Sequence, residues 1–379
     1  MVLRGLRVFS PVPRLLPDIA VIHDKAVDLD AVAGPLSKFF TLKSQLLDDY
    51  VAGEPLNADL HVFFTNPRSG PTFESLKAAT ELCDGAKIFV LPTHNSDSIT
   101  KLYNLGINDY VVLPIEPHEL RELAKKTLHQ QVYSSWALLD PVKQKALTTS
   151  LKCFEKCFLH LRRGEPLPIE DITDSCEHIR EAAALGGLNE WIDSLDRHHN
   201  YSFRHSMFVC GTLTYFAHSI GIRGADLELL TIGGLLHDIG KSKIPFEILD
   251  KPGKLDDQEW ETMKLHPVYS RTILLNEQNL DKIIVTMATS HHEKLDGTGY
   301  PDGLSGSKID DFVRMTTIAD IYSALIDKRA YKGAMNSVEA LDVMQLSRDQ
   351  LDPDLFRIFR EYVLDQDEAE LAEPQTHVA

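Results

Sequence analysis

Histidine and aspartate residues recur along the second half of the chain at a spacing that favours a bundle of helices with one metal-ligand position on each helix. These residues are His205, His237, Asp238, His266, His291, His292 and Asp320. Successive positions are separated by about 25 to 32 residues, which corresponds to one helix plus one connection at ordinary lengths. Antiparallel helices of that length can bring their ligands to one level of the bundle.

The side chains in this series suit divalent metals. Neutral imidazoles with carboxylates bind Fe, Mn, Zn or Ni, and two metals account for so many ligands better than one does. Asp320 lies on the polar stripe of a helix predicted over residues 315–326, beside its apolar face, where a carboxylate needs a partner. Taken singly, His266 could end a helical turn before Pro267, and His291 could lie at an exposed helix end. The order and spacing of the whole series favour the metal centre.

Short motifs around these positions carry a resemblance to a known family. They are His237-Asp238-Ile239-Gly240-Lys241, Lys251-Pro252-Gly253-Lys254-Leu255, Met263-Lys264-Leu265-His266-Pro267, His291-His292-Glu293, Asp296-Gly297-Thr298-Gly299-Tyr300-Pro301-Asp302-Gly303-Leu304-Ser305-Gly306, Arg314, Ala319-Asp320 and Lys328-Arg329. With these motifs, residues from about 195 to 350 resemble the HD-GYP domain, the bacterial subfamily of HD-superfamily metallohydrolases that cleaves cyclic di-GMP. A match of this length and order is specific, whereas an isolated Gly-Tyr-Pro would mean little.

The resemblance implies two metal sites that share one carboxylate. The ligands of the first metal are His205, His237, Asp238 and Asp320, and those of the second are His266, His291, His292 and the bridging Asp238. We expect two divalent ions, Fe or Mn, with Zn and Ni as alternatives. Two metals about 4 Å apart can bridge a hydroxide at neutral pH and clamp a phosphodiester. The expected reaction is hydrolysis of cyclic di-GMP to pGpG, to GMP or to both.

The same resemblance indicates which residues act on the substrate. Asp238 and Lys241 are the expected catalytic residues. The expected substrate contacts are Lys241, Tyr300, Arg314, Arg329 and Lys332. Tyr300 could bond a guanine edge or pin the glycine-rich loop that carries it. We expect Glu293 and Asp296 to accept hydrogen bonds from the ligating histidines, a role that such imidazoles usually need filled.

Several positions depart from the family pattern. Tyr201 stands where members with a third metal carry a glutamate, so we predict two metals and not three. Ser323 replaces a common aspartate, and Asp310 and Ala330 replace prolines. The changes at Tyr201 and Ser323 could weaken catalysis or stop hydrolysis at pGpG.

The first 130 residues alternate between short apolar runs and helical stretches, which is typical of a small doubly wound parallel sheet. Strands are predicted at residues 19–22, 60–64, 87–91 and 110–113, and helices at 98–105 and 118–128. Residues 106–114 resemble the last strand of a two-component receiver domain. The acidic pair, acceptor aspartate and lysine of a receiver are replaced by His23-Asp24, by Phe64 or Thr65, and by Leu113. We therefore predict a receiver-like module that is not phosphorylated and that docks a protein partner or dimerises.

The predicted fold class is multidomain, with an α/β receiver-like domain, a helical linker and an all-α HD bundle. We place the receiver-like domain at residues 1–130, the linker at 131–190, the HD-GYP domain at 191–366 and an acidic, disordered tail at 367–379. Linker helices are predicted within residues 134–161 and at 171–184. A homodimer through the first domain or the linker is left open.

The charge balance narrows the range of partners. With 39 Lys and Arg against 56 Asp and Glu, the formal net charge is −17, which argues against DNA, RNA or an anionic membrane. The sequence has no apolar run of about 18 residues. Its five cysteines form no Cys-x-x-Cys motif, as expected of a cytoplasmic protein. The predicted small-molecule partner is cyclic di-GMP.

Two alternatives stay open from the sequence. The degenerate receiver and the altered positions near the site are compatible with a catalytically weak or non-enzymatic adaptor that binds nucleotide or protein partners. The second alternative is an HD hydrolase of another cyclic dinucleotide, such as cyclic GMP-AMP. The metal identity is equally open, because histidine-rich mixed sites accept several metals.

Overall fold

The computed structural model describes residues 18–25, 28–37, 40–53, 56, 58–67, 70–83, 86–105, 107, 110–195, 198, 201–249, 251, 254–327 and 335–372. The chain divides into two compact units, Leu15–Ser135 and Trp136–Ala379. Each unit has buried hydrophobic clusters of its own.

The N-terminal unit is a five-stranded parallel sheet with helices between its strands. Its elements are β1 (Asp18–His23), α1 (Asp30–Ser37), β2 (Thr41–Leu46), α2 (Leu47–Ala52), β3 (Leu60–Phe64), α3 (Gly70–Leu82), β4 (Ala86–Leu91), α4 (Ser96–Asn104), β5 (Tyr110–Val112) and α5 (Pro117–Trp136). The strand order β2-β1-β3-β4-β5 is the doubly wound order of flavodoxin and CheY. Val21 pairs with Val62 in the core on one face, and Ile22 pairs with Phe63 in the core on the other.

The doubly wound sheet predicted from the alternation is confirmed, with one strand more than expected. The strands predicted at residues 19–22, 60–64, 87–91 and 110–113 correspond to β1, β3, β4 and β5. The strand that sequence reasoning missed is β2, with the sequence Thr-Leu-Lys-Ser-Gln-Leu. It lies at the edge of the sheet, where polar residues are tolerated, so its apolar signal is weak.

The carboxyl ends of the strands are where a receiver would carry its phosphorylation chemistry. Phe64 ends β3, and Thr65 follows it, so two buried side chains without a carboxylate stand at that end. Leu113 follows β5. Asp24 keeps a carboxylate after β1, and its Oδ2 accepts a hydrogen bond from the Asn66 backbone N–H at 2.7 Å. The described part of this unit therefore offers no acceptor carboxylate at the end of β3.

The described residues of the C-terminal unit after α5 are helical or in loops. The helices are α6 (Pro141–Arg163), α7 (Ile169–Ala184), α8 (Leu188–Leu195), α9 (Tyr201–Ser219), α10 (Gly224–Leu236), α11 (Phe246–Leu249), α12 (Asp257–Met263), α13 (His266–Leu274), α14 (Lys282–Ser290), α15 (Asp311–Ile326), α16 (Ser337–Gln345) and α17 (Pro353–Ala372), with 3-10 turns at Ile239–Lys243, Gly306–Lys308 and Arg348–Gln350. Helix α9 packs against α10 and α15, and α14 packs against α10 and α13. The main core lies between α9, α15 and α17, around Phe216, Tyr322 and Phe359.

Two expected boundaries differ from the structure. Helices α6 and α7, placed in the linker at residues 131–190, belong to the same compact unit as the bundle, and α7 packs against α9 and α10. Their apolar residues, such as Leu147 and Ile179, are fully buried, which a free linker could not achieve. Residues 367–372, expected in a disordered tail, continue α17, where Asp367 accepts hydrogen bonds from Asn189 and Ser337. Residues 373–379 lie outside the described residues.

Among the described helices, none combines the length and the apolar character needed to cross a bilayer.

Candidate metal centre

All seven predicted ligand residues meet at one point inside the C-terminal unit. Each is buried except His292, whose side chain is 11 % exposed. Their ligand atoms form two compact groups, one of His205, His237 and Asp238 and one of His266, His291 and His292.

Asp238 faces both groups, with one oxygen toward each. Its Oδ2 lies 3.3 Å from His205 Nε2 and 3.1 Å from His237 Nε2. Its Oδ1 lies 3.2 Å from His266 Nε2 and 3.8 Å from His291 Nε2. A carboxylate divided in this way has the arrangement that a bridge between two cations requires.

Asp320 is placed in a similar manner. Its Oδ1 lies 3.1 Å from His205 Nε2 and 4.0 Å from His237 Nε2, and its Oδ2 lies 3.7 Å from His292 Nδ1. Helix α15 therefore brings a second carboxylate to the same point. The polar stripe of this helix, inferred from the sequence, does face the interior.

Three of the histidines are each oriented by the backbone carbonyl three residues earlier, near the end of a helix: α10 for His237, α14 for His291, and α12 for His266, which itself begins α13. Nδ1 of His237 lies 2.8 Å from the Gly234 carbonyl, that of His266 lies 2.8 Å from the Met263 carbonyl, and that of His291 lies 3.1 Å from the Ala288 carbonyl. The last carbonyls of a helix have no intrahelical partner and are free to accept. Because a carbonyl can only accept, each Nδ1 must donate, and each Nε2 therefore presents a lone pair to the centre.

These lone pairs face other acceptors. Nε2 of His266 lies 3.4 Å from Nε2 of His291, and both face Asp238. Burial lowers the pKa of His266 to about 3 and that of His291 to about 4, so no proton separates the lone pairs near neutral pH. Nε2 of His237 and Oδ1 of Asp238 are buried and have no hydrogen-bond partner among the described residues. Cations between these atoms would satisfy them, so the donor set fits divalent metals.

The carboxylates keep their charge despite burial. Desolvation alone would raise the pKa of Asp238, but the charge of Lys241 and the hydrogen bond with His205 hold it well below its usual value. Lys241 Nζ lies 2.5 Å from Asp238 Oδ2. Burial would likewise raise the pKa of Asp320, but its hydrogen bond with His205 outweighs desolvation and lowers that pKa. Ionised carboxylates are the form that binds metal.

Gly240 permits the close approach of the His237-Asp238 turn to α13. A Cβ at this position would stand 2.0 Å from the His266 carbonyl oxygen and 2.4 Å from the Ser270 backbone nitrogen. The backbone N–H of Gly240 also donates to Ser270 Oγ at 2.9 Å. The glycine in this motif is therefore required by packing between two ligand-bearing segments.

The glycine-rich loop after His292 is fixed by Glu293. This carboxylate is 2 % exposed, and its two oxygens accept from the Asp302 N–H at 2.7 Å and from the Leu304 N–H at 2.9 Å. A Cβ on Gly299 would stand 2.5 Å from the Glu293 Cα and 2.6 Å from the His292 carbonyl oxygen. The loop thus folds directly onto the backbone of His292 and Glu293.

The expectation that Glu293 and Asp296 accept from the ligating histidines is wrong. The oxygens of Glu293 are used by the loop, and Asp296 Oδ1 accepts from the N–H and the hydroxyl of Thr298. Backbone carbonyls orient the histidines instead. Carboxylates next to the histidines in sequence suggested the first arrangement, and backbone acceptors leave no signal in residue types.

A cavity of about 440 Å³ opens beside the centre. His291, His292 and Asp320 border it, and Tyr300 lines it with its ring stacked on His292 at a centroid distance of 4.7 Å. The lining also includes residues that sequence reasoning did not single out as site residues. They are Asp257, Trp260, Glu261 and Lys264 of α12 and its end, Lys294, and Val343, Met344 and Ser347 of α16 and its end. Their closeness to His266 and His292 in sequence was the available signal for Lys264 and Lys294.

Arg314 does not line this cavity, contrary to its expected role as a phosphate contact. Its guanidinium donates to the carbonyls of Ile309 at 2.9 Å and Gly306 at 3.1 Å, and it pairs with Asp352 at 2.9 Å. It therefore ties down the far end of the glycine-rich loop.

The structure describes only some of the remaining residues that were named from the sequence. Asp310, which replaces a family proline, caps α15 by accepting from the Phe312 N–H at 2.9 Å. Ser323 is fully buried, and its hydroxyl has no partner among the described residues. Arg329, Ala330 and Lys332 lie outside the described residues, as does the side chain of Tyr201.

A helical bundle that gathers histidines and two aspartates from successive helices around one buried point defines the HD class of metal-binding proteins. Residues 170–355 match the family model described as HD domain. Residues 170–355 are therefore an HD domain, which carries the Gly299-Tyr300-Pro301 loop of the pattern predicted from the sequence and follows an N-terminal unit with a receiver-like fold.

Named relatives share this region. A cyclic di-GMP phosphodiesterase of Pseudomonas aeruginosa is 33 % identical over 256 residues, 67 % of this chain and 60 % of the relative. A 3'3'-cGAMP-specific phosphodiesterase of Vibrio cholerae is 41 % identical over 157 residues, 41 % of this chain and 34 % of the relative. A solved HDG"Y"P protein of Bdellovibrio bacteriovorus is 16 % identical with a TM-score of 0.47, covering 65 % of this chain and 80 % of that one. The chain thus spans 60 % or less of the length of these two curated relatives.

Proposed function

We propose that this chain is a metal-dependent phosphodiesterase that hydrolyses cyclic di-GMP to pGpG, GMP or both. The observation that carries the proposal is the Asp238 carboxylate, which presents one oxygen to each of two histidine groups whose lone pairs face it. That arrangement lies next to a cavity bordered by Asp320, His291 and His292.

The proposed metals are two divalent ions, Fe or Mn, with the ligand sets expected from the family. His205, His237 and Asp320 would hold one ion, His266, His291 and His292 the other, and Asp238 both. When bound, such cations supply the Lewis acidity that activates a water and neutralises charge on a phosphodiester. The chain itself keeps Asp238 and Asp320 ionised and the imidazoles of His266 and His291 neutral, which are the protonation states this role requires.

The cavity walls supply groups that suit a dianionic purine dinucleotide. Lys264 and Lys294 line it, with Lys264 Nζ paired to Glu261 Oε1 at 2.6 Å, although the chain as a whole carries a net charge of −17. Trp260 and Tyr300 bring aromatic rings, on which purine bases stack. Tyr300 is held both by its stacking on His292 and by the loop, so its two expected roles are compatible.

The names of the relatives support the reaction class and leave the base unresolved. The Pseudomonas relative acts on cyclic di-GMP, and the Vibrio relative is specific for 3'3'-cGAMP. Both substrates are cyclic purine dinucleotides with two phosphodiester bonds. Alignment with the Pseudomonas protein over 67 % of this chain favours cyclic di-GMP, and 3'3'-cGAMP is the second candidate.

The proposal is tested by turnover of full-length protein loaded anaerobically with Fe(II) or Mn(II), with metal content measured on the same sample. Cyclic di-GMP and 3'3'-cGAMP are offered separately, and pGpG and GMP are separated by chromatography. We expect metal-dependent product from cyclic di-GMP that Asp238→Ala reduces by about a thousandfold or more, the scale of losing a group that stabilises transition-state charge. Asp24→Ala, the same change in the N-terminal unit, is the matched control and keeps full turnover.

Other outcomes redirect the proposal. Faster turnover of 3'3'-cGAMP would assign the second substrate. Saturable nucleotide binding with no product from protein that holds two metals would support the alternative function, a nucleotide-binding adaptor. In either case we propose that the receiver-like unit docks a protein partner, as its missing acceptor carboxylate leaves no phosphorylation input.

A further inference from the structure

A buried ion pair joins the two helices that supply His205 and Asp320. Arg204 Nε donates to Asp327 Oδ1 at 2.8 Å, and Arg204 Nη1 donates to the His198 carbonyl at 2.8 Å. The Asp327 side chain is fully buried, and that of Arg204 is 13 % exposed. The guanidinium therefore crosses from α9 to the end of α15.

The position of Asp327 is unfavourable for helix stability. It is the C-cap of α15, where the carbonyl ends of the helix repel a negative charge. Burial of a carboxylate is costly, and a buried pair is often no more stabilising than apolar residues of the same size. Helix propensity and burial therefore do not account for this residue, and a role in fixing the relative placement of two helices does.

The pair is closely connected to the metal centre. Arg204 directly precedes His205 on α9, and Asp327 follows Asp320 by about two helical turns. The contact of His205 Nε2 with Asp320 Oδ1 at 3.1 Å joins the same two helices. His266 and His291 instead lie on α13 and at the end of α14, and His292 directly follows, on segments that carry neither residue of the pair.

We propose that Arg204 and Asp327 are positioning residues that set the distance between His205 and Asp320. They thereby control the affinity of one of the two metal positions and leave the other unaffected. The inference rests on the proposed two-metal centre. It concerns the metal position that His205, His237 and Asp320 share, and it assigns to this ion pair a function in metal loading.

The test is Mn(II) binding to metal-free full-length protein, with free Mn(II) followed by its electron paramagnetic resonance signal. The variant is the double substitution Arg204→Met and Asp327→Leu, which removes both charges together and so avoids a lone buried charge. We expect the wild type to bind two equivalents. In the variant, one equivalent weakens by about tenfold or more, the usual effect of losing a residue that orients metal ligands, and the other changes less than about twofold.

The matched control is the double substitution Lys143→Met and Glu190→Leu. It removes another partly buried ion pair of the same unit, between α6 and α8, which carry no ligand. We expect its Mn(II) isotherm to match the wild type. The unfolding midpoint of each metal-free variant is measured in parallel, so that a general loss of stability is seen separately.

Two results would overturn the inference. One is an Arg204/Asp327 variant whose isotherm superimposes on the wild type. The other is an equal weakening of both equivalents, which would assign the pair to general stability. Absence of two Mn(II) equivalents in the wild type itself would instead remove the proposed metal centre, and the inference with it.

Discussion

Both units of this chain can bring side chains together at the ends of their secondary-structure elements. They differ in which side chains stand at those ends. In the N-terminal unit the carboxyl ends of parallel strands would gather a site, yet those ends carry Phe64, Thr65 and Leu113. In the C-terminal unit the ends of helices gather His237, His266 and His291. The first unit keeps its fold without the residues of a receiver's site, whereas the second keeps both its fold and the residues of a candidate metal centre.

The difference shows that the fold and the site depend on separate residues. The sheet is held by apolar pairs such as Val21 with Val62, which do not involve the strand ends. Among the described residues of the N-terminal unit, His61 is buried, but no aspartate, glutamate or lysine is. Burying ionisable groups costs stability unless they are paired. The C-terminal unit bears that cost at the candidate centre, and the N-terminal unit does not.

Among the predictions that compare the two units, the largest expected effect comes from Gly299→Ala. The added Cβ would lie within 2.6 Å of the backbone of His292 and Glu293, so the loop must move together with a ligand. A displacement of about 1 Å is enough to lower turnover about a hundredfold. Gly34→Ala in α1 is the matched control in the other unit, since a Cβ there meets nothing within 4 Å. Turnover of both variants is compared, and equal activity would contradict the account of the loop.

A second expected difference is in the pH dependence of stability of the metal-free protein. The pKa of His266 is lowered to about 3 and that of His291 to about 4, so below pH 6.5 the unfolded chain binds protons that the fold excludes. The free energy of unfolding of the C-terminal unit should therefore fall as the pH drops from 6.5 to about 4. The loss is on the order of 3 kcal/mol for His291 alone.

One residue opposes this trend. Contacts with Asp238 and Asp320 outweigh desolvation and raise the pKa of His205, so its contribution has the opposite sign. The net effect is measured by urea unfolding at several pH values between 4 and 7. The variant His266→Gln with His291→Gln should flatten the dependence. A wild-type C-terminal unit as stable at pH 4.5 as at pH 7 would contradict the prediction.

The smallest expected effect is that of Arg314→Gln. Arg314 holds the loop through Gly306 and Ile309 and does not line the cavity. We expect the free energy of unfolding to fall by about 1–3 kcal/mol, the cost of leaving buried acceptors without a donor. The KM for the dinucleotide should stay within about twofold. A tenfold rise in KM with unchanged stability would restore the phosphate contact first expected from the sequence.

Sequence reasoning identified the seven histidines and aspartates that meet at the candidate centre, because their residue types and their spacing along the chain are visible in the sequence. It could not find what orients them, since the acceptors are the backbone carbonyls of Gly234, Met263 and Ala288. The edge strand β2 was missed because its polar residues fit the edge. Arg314 was predicted to contact phosphate because a cation near a metal cluster suggests an anion contact, and residue types alone do not show that it donates to the carbonyls of Ile309 and Gly306.

The histidines oriented by the carbonyl three residues earlier have a consequence for how such centres arise. Each histidine and the carbonyl that orients its ring lie within four consecutive residues, which are 234–237, 263–266 and 288–291. Because such a stretch contains both the histidine and the carbonyl that orients it, the same four residues can serve at the end of another helix, for example in a designed protein. A centre with several histidines can then be built up one helix at a time, because each added histidine already has its imidazole ring oriented by its own segment.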